Sequence, residues 1–221
     1  EVNDKFFELS REDESASGPS GPKAEAGTIN IILHISAALD PGTLARTLIT
    51  VTEAKTAALQ ELMVRSHLSD SLATGSGTDG IISICNPESP LRLTNAGKNS
   101  KVGELIGKTV KEAVKEALLK QTGLCPDKQQ DILRIMGRFG IDEDRLFEEY
   151  LQCSDPALCK ADFIDRLDRL KKTSEIVETA FFYSHVMDLL SWNLITSDQA
   201  IHMTSTLTDK LPPAGIPEEE H

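Results

Sequence analysis

The sequence lacks any apolar run near the ~18–20 residues that would cross a bilayer, and its first residues do not resemble a signal peptide. It is also poor in basic residues, with 23 Lys and Arg against 35 Asp and Glu and a formal net charge of -12. No stripe of Lys and Arg offsets that charge, so the surface repels polyphosphate. We therefore expect neither nucleic acid nor membrane as a partner, and a cytoplasmic location.

Cysteine is scarce and lacks the spacing of a metal site. The four cysteines contain no CxxC pair, and no cluster of His, Cys and Asp has ligand spacing. Cys85 lies in an apolar run, where a thiol usually packs as a small hydrophobic group. We expect no metal, and Cys153 with Cys159 is the only plausible disulfide pair.

Nucleotide-binding motifs are absent as well. The segment TGSGTDG at 74–80 is not a Walker loop, because no Lys-Ser/Thr follows it, and its spacing is not GxGxxG. Its glycines allow backbone N–H groups to converge on an anion or on an oxyanion formed during acyl transfer. Thr74, Ser76 and Thr78 place hydroxyls beside Asp79, which suits a nucleophile or a positioned water. The alternative is a tight turn in which Asp79 bonds its own backbone.

Strand and helix patterns alternate in the first half of the chain. Residues 28–35 and 80–85 are β-branched and mostly apolar, which is typical of strands covered on both faces. Helical spacing follows over 41–64 and 101–121, and Gly123 ends the second of these helices. One face of that helix collects Val102, Ile106, Val110, Ala113 and Ala117. These patterns predict an α/β layered domain with buried strands and packed helices. His34, a lone histidine on an apolar strand, is predicted to be a hydrogen-bonded core residue.

The first predicted helix carries a lysine on its apolar side. Asp40 is a suitable N-cap and Pro41 a suitable first residue. One side of the helix then collects Leu44, Leu48, Val51, Lys55, Ala58 and Leu62. An unpaired buried ammonium is costly, so Lys55 either reaches a carboxylate or substrate, or extends outward along its aliphatic stem.

The ends of the chain differ from this domain. Residues 1–26 are rich in charge, Gly, Pro and Ser, which predicts a linker or mobile loop. Residues 125–211 show only helical patterns with turn signals between them, which predicts an all-helical C-terminal extension. A tail of residues 212–221 follows.

Four blocks resemble the adenosylcobinamide amidohydrolase family in order and spacing. They are GTINIIL at 27–33, TEAKTAALQEL at 52–62, TGSGTDG at 74–80 and AGKNSKVGELIG at 96–107. The resemblance covers residues 27–124. It implies an enzyme of corrinoid salvage that hydrolyses an amide, converting adenosylcobinamide to adenosylcobyric acid and aminopropanol. The small-molecule corrinoid is then the substrate, and no cofactor is implied.

The loop chemistry and the resemblance together give a set of candidate site residues. The predicted catalytic residues are Asp79, Thr78, Lys98 and Glu104, although Glu104 also suits the capping of a helix N-terminus. Asp79 would orient or deprotonate water or Thr78, loop amides would hold the oxyanion, and Lys98 would stabilise charge. The predicted substrate-binding residues are Asn30, Lys55, Thr74, Gly75, Ser76, Gly77, Gly97 and Asn99. The two glycine-bearing loops are predicted to line one pocket.

The chain departs from the family pattern in two places. The second loop of the family usually reads AGKH, whereas Asn99 follows Lys98 here, and an amide side chain cannot act as a general base. The family domain also carries a further half upstream of the first strand, which another chain could supply here. These departures leave open a corrinoid-binding module without turnover, or an interaction protein that uses its C-terminal helices. A homo-oligomer is also open.

Overall fold

The computed structural model describes three stretches of the chain, 28–66, 68–153 and 157–208, without the side chains of 206–208. Its contacts divide the chain into two compact units, one ending at Cys125 and the other beginning at Pro126. The predicted linker at 1–26 and the tail at 212–221 lie outside the described residues.

Parallel strand pairs organise the first unit. The strands in chain order are β1 (Asn30–Ile35), β2 (Ala38–Leu39), β3 (Gly80–Cys85) and β4 (Arg92–Leu93). Strands β1 and β3 pair in parallel with Asn30 opposite Gly80, and β2 and β4 form a second parallel pair. Both predicted strands are therefore present, and the mixed α/β class is confirmed.

Helix α1 (Pro41–Glu61) connects the two main strands and begins as predicted. The Asp40 carboxylate caps it by accepting hydrogen bonds from the Thr43 N–H at 3.0 Å and the Thr43 hydroxyl at 2.7 Å. In the second half of the helix, Val51 and Ala58 are completely buried. The cap and Pro41 thus fix where the helix starts, and its apolar side fixes how it packs.

The first half of α1 differs from the predicted apolar stripe. Leu48 is exposed, whereas Thr43, Thr47 and Thr50 are buried. The hydroxyl of Thr47 donates to the Leu44 carbonyl at 2.6 Å and lies 2.8 Å from the Ser83 hydroxyl. Because these hydroxyls have partners, threonine can be buried where the pattern had placed aliphatic side chains.

Helix α2 (Lys101–Thr122) packs along α1. The Ser100 hydroxyl caps it by accepting from the Gly103 N–H at 3.0 Å, and Gly123 ends it with φ 66° as predicted. Its buried side chains are Ile106, Val110 and Val114, so Ala113 and Ala117, which are exposed, were wrongly assigned to this face. The buried positions continue at intervals of four residues, which turns the face away from these alanines.

Both helices cover the same face of the β1–β3 sheet. Leu33, Ile31, Ile35 and Ile81 join one core with the buried side chains of α1 and α2. On the other face Ile32, Ile82 and Ile84 are 71%, 57% and 45% exposed, and His34 is exposed too. The predictions of strands covered on both faces and of a core histidine are therefore wrong for the described residues, which place helices on one side only.

The second unit is helical throughout its described residues, as predicted for the extension. Its helices are α3 (Pro126–Gln129), α4 (Ile132–Met136), α5 (Glu143–Leu151), α6 (Lys160–Leu170), α7 (Ser174–Ser191) and α8 (Ser197–Thr208), with a 3₁₀ turn at Gly137–Phe139. A small core of Ile135, Val177 and Ala180 joins α4 to α7. Arg138 makes a bidentate ion pair with Asp188, in which its two terminal guanidinium nitrogens lie 2.5 and 2.6 Å from the two carboxylate oxygens. In the described part of the chain, no helix has the length and apolarity that a membrane crossing requires.

Candidate active site

Lys55 of α1 and Asp79, which precedes β3, form a buried ion pair. Their side chains are only 7% and 11% exposed. Of the two sequence-based interpretations of Lys55, the structure supports the one in which the ammonium reaches a carboxylate. The pair ties the glycine loop at 74–80 to the helix.

Each oxygen of the Asp79 carboxylate accepts hydrogen bonds from two donors. Oδ1 accepts from the Ile29 N–H at 3.1 Å and the Ser76 hydroxyl at 2.6 Å, and Oδ2 accepts from the Ser76 N–H at 3.0 Å and the Lys55 ammonium. The bond from the Ser76 N–H is the contact that the alternative of a tight turn predicts. Burial, the largest single influence, raises the pKa of Asp79, but the hydrogen bonds from Lys55 and Ser76 outweigh it and hold the pKa below its ordinary value.

The lowered pKa makes the contribution of Asp79 to stability depend on pH. A carboxyl whose folded pKa is below its unfolded value stabilises the fold above the unfolded value, 3.8, and loses that contribution as the pH falls through the folded pKa. We expect the difference in unfolding free energy between the parent and Asp79→Asn to be constant from pH 6 to 8 and to shrink below about pH 4. Urea titrations followed by circular dichroism measure it, and an equal difference at pH 3 and pH 7 would contradict this assignment.

The same loop presents exposed hydroxyls beside the buried pair. The Thr78 N–H donates to the Ser76 hydroxyl at 3.5 Å, and the Thr78 hydroxyl lies 2.6 Å from that of Thr28. The Thr56 hydroxyl holds the other end of the loop by donating to the Thr74 carbonyl at 2.9 Å. The sequence prediction missed Thr28 as a site residue, although it lies in the block GTINIIL that resembles the family.

Two glycines in this loop differ in what surrounds them. A Cβ at Gly75 would lie 2.6 Å from the Lys55 Nζ and would also collide with the Asp79 carboxylate. A Cβ at Gly77 would meet nothing within 4 Å. A side chain at Gly75 would therefore have to displace the paired ends of Lys55 and Asp79, whereas one at Gly77 would displace nothing.

The second glycine-bearing loop packs against the start of α2. The Gly97 carbonyl accepts from the Ser100 N–H at 2.9 Å and the Ser100 hydroxyl at 2.7 Å. Gly103 lies directly beneath, and a Cβ there would collide with that same carbonyl. The Thr50 hydroxyl of α1 donates to the Ala96 carbonyl at 3.4 Å. The small residues let the loop lie close to both helices.

The charged residues predicted near the second loop lie at the surface. Lys98 pairs with Glu53 at 2.9 Å, with side chains 63% and 43% exposed, and Asn99 is exposed beside it. Glu104 pairs with Lys101 at 2.8 Å and Lys108 at 2.6 Å. Hydrogen bonds from these two lysines, with their charges, lower the pKa of Glu104 to about 2. Glu104 is therefore a surface residue in the first turn of α2, where it pairs with lysines.

Both loops contact α1. The first loop contacts Lys55 and Thr56, whereas Lys98 of the second loop pairs with Glu53. Glu53 points about 160° away from Lys55, but it lies on the same side of the helix as Thr56, three residues further on. The shared pocket of the two loops stays a prediction. In the described residues, no group of three His, Cys, Asp or Glu side chains could hold a metal ion.

Comparison with known families identifies the family of this sequence. The sequence model of the family described as adenosylcobinamide amidohydrolase matches residues 7–126, more than half of the chain. The chain belongs to the adenosylcobinamide amidohydrolase family. The match confirms the resemblance inferred from residues 27–124. It also includes most of the segment predicted to be a linker.

A curated relative shares only part of this sequence. An uncharacterised protein of Methanocaldococcus jannaschii is 50% identical over 101 residues, which is 45% of this chain and 39% of that protein. The chain thus spans well under half the length of that relative. No solved structure matches this chain.

Proposed function

We propose that this chain hydrolyses the amide that joins aminopropanol to the corrin side chain of adenosylcobinamide, yielding adenosylcobyric acid for corrinoid salvage. One observation carries the proposal. Within the segment that matches the family, the buried Lys55–Asp79 pair fixes a glycine loop that presents hydroxyl groups to solvent. Amide hydrolysis needs a nucleophile and donors for the oxyanion, and this loop offers both.

Asp79 acts in this proposal by positioning the loop. Its oxygens already have two donors each and its pKa is lowered, so it is a weak proton acceptor at neutral pH. It holds Ser76, whose hydroxyl accepts from the Thr78 N–H. Of the two roles considered for Asp79, orientation therefore suits its surroundings better than deprotonation.

Thr78 is the proposed hydroxyl at the scissile amide. It is exposed, and it offers either its own oxygen or a bound water to the amide carbon. Among the described hydrogen bonds, the N–H groups of Ser76 and Thr78 already donate within the loop. Gly75 and Gly77 are therefore the proposed oxyanion donors. Asn30, opposite Gly80 at the start of the sheet, is proposed to contact the substrate nearby.

The second loop takes a peripheral role in this proposal. Lys98 pairs with Glu53 at the surface of α1, so we assign it, with the neighbouring Gly97 and Asn99, to outer parts of the substrate. Glu104, held in two exposed ion pairs, is left with a structural role at the helix surface. The scissile amide is thus assigned to the first loop alone.

Release of aminopropanol from adenosylcobinamide tests the proposed function. We expect release by the parent chain. Gly75→Ala should slow it about 10- to 100-fold, because the Cβ displaces the ion pair and small displacements of a reacting group are costly. Gly77→Ala keeps its N–H and adds a Cβ in open space, so its loss should be clearly smaller. Equal rates for the two variants would reject the role of the ion pair, and no release by the parent would reject hydrolysis.

A corrinoid-binding module without turnover is the second candidate. Asn99 in place of the family's histidine favours it, because an amide cannot move a proton as an imidazole does. Corrinoid binding without any release of aminopropanol would select this candidate over the enzyme.

A further inference from the structure

One face of the β1–β3 sheet is covered by no helix of the described residues, and its composition is unusual. Its six positions are Asn30, Ile32 and His34 on β1, and Gly80, Ile82 and Ile84 on β3. Ile32 lies opposite Ile82, and His34 lies opposite Ile84. The face thus carries no acidic or basic group other than one imidazole, on a chain whose net charge is -12. Such a surface suits an uncharged apolar ligand with polar groups at its rim.

The size of this face favours a small ligand over a protein. Two strands of six residues measure about 20 Å by 10 Å, which is a footprint of roughly 200 Å². A stable protein interface buries about 800 Å² on each partner. Parallel sheets are normally covered on both faces, so an occupant is expected here. A second copy of this chain would find too little area on this face alone.

The face adjoins the proposed site. At its N-terminal end Asn30 lies opposite Gly80, and a Cβ at Gly80 would lie 2.6 Å from the Asn30 Oδ1. The absence of a side chain at Gly80 therefore leaves room for the Asn30 amide across the sheet. Two residues before this pair, the hydroxyls of Thr28 and Thr78 lie 2.6 Å apart, and both residues are exposed. A ligand on this face would end beside the hydroxyl assigned to the scissile amide.

We propose that the corrin ring of the substrate lies flat on this face, an inference that rests on the proposed function. The macrocycle is a broad, largely apolar plate with carboxamides at its rim, and it would cover Ile32, Ile82 and Ile84. Asn30 and His34 lie four residues apart, about 13 Å along the strand, and would meet carboxamides on opposite sides of the ring. The side chain that carries the scissile amide then extends past Asn30 toward Thr78.

Titration of the full chain with cobinamide, followed by visible absorption, tests this surface. Ile82→Lys removes apolar contact and adds a charge, so we expect its Kd to rise at least tenfold. Ile82→Thr keeps the β-branched shape of the side chain and should show a smaller rise. Leu119→Lys is the matched control, because Leu119 is 49% exposed on α2 and should leave the Kd within twofold. Circular dichroism confirms that each variant is folded.

The outcomes separate this inference from the proposed function. A parent-like Kd for folded Ile82→Lys, or no binding of cobinamide by the parent, would overturn the inference. A parent dimer that Ile82→Lys converts to a monomer in light scattering would overturn it too, because a second copy would then cover the face. Aminopropanol release is measured on the same samples. If the parent releases aminopropanol and Ile82→Lys leaves cobinamide binding unchanged, the proposed function stands and the proposed surface is rejected. If Ile82→Lys weakens binding but the parent releases no aminopropanol, the surface stands and the proposed function is rejected.

Discussion

Lys55→Met is expected to lower the free energy of unfolding of the first unit by about 3 kcal/mol, because removal of one partner leaves a buried charge without its counterion. The remaining donors to Asp79, from Ser76 and Ile29, keep the loss at the low end of the range for buried pairs. Urea unfolding at pH 7 followed by far-ultraviolet circular dichroism measures it. The fluorescence of Trp192 reports on the second unit and serves as an internal reference.

Lys98→Met is the matched control for this loss. It removes the same charge from an ion pair that is largely exposed, and such pairs contribute about 0–1 kcal/mol. Similar losses for the two lysine variants would show that the Lys55–Asp79 pair does not anchor the loop.

Gly103→Ala is expected to destabilise the first unit by about 1–3 kcal/mol, although alanine is the better helix former. Its Cβ would collide with the Gly97 carbonyl, which belongs to the backbone and cannot rotate away. The second loop must therefore move off α2. The same urea titrations measure the change.

Gly107→Ala, one turn further along α2, is the comparison variant, and its change in unfolding free energy is expected to have the opposite sign. Its Cβ would meet nothing within 4 Å, so only helix propensity acts and we expect a gain of about 0.5–1 kcal/mol. A gain for Gly103→Ala as well would mean that the loop does not pack on the helix as described.

Local signals in the sequence predicted the elements of the first unit well. Asp40 with Pro41 and the final Gly123 marked helix ends, because capping depends on neighbouring backbone groups alone. The hydrogen bonds of Asp79 to Ser76 were also predictable, since the two residues are three apart in one loop. Family membership followed from short blocks of sequence.

Features that depend on tertiary neighbours were not predictable. The continuous apolar run of β1 indicated burial on both faces, whereas the helices in the described part of the chain cover one face only and Ile32 is 71% exposed. Burial of Thr47 depends on Ser83, which is 36 residues away. The position of the second loop depends on contacts with α1 that join residues more than 40 apart, from Thr50 to Ala96 and from Glu53 to Lys98. The partner of Lys55 likewise required the fold.

Hydrolysis in water enriched in ¹⁸O tests the central claim most directly. The parent chain is incubated with adenosylcobinamide, and both products are analysed by mass spectrometry beside a protein-free blank. Hydrolysis of the amide places one solvent oxygen in the new carboxylate of adenosylcobyric acid and none in aminopropanol, and this is the result we predict. Intact adenosylcobinamide at the level of the blank, in a sample where the protein is folded and binds the corrinoid, would contradict it.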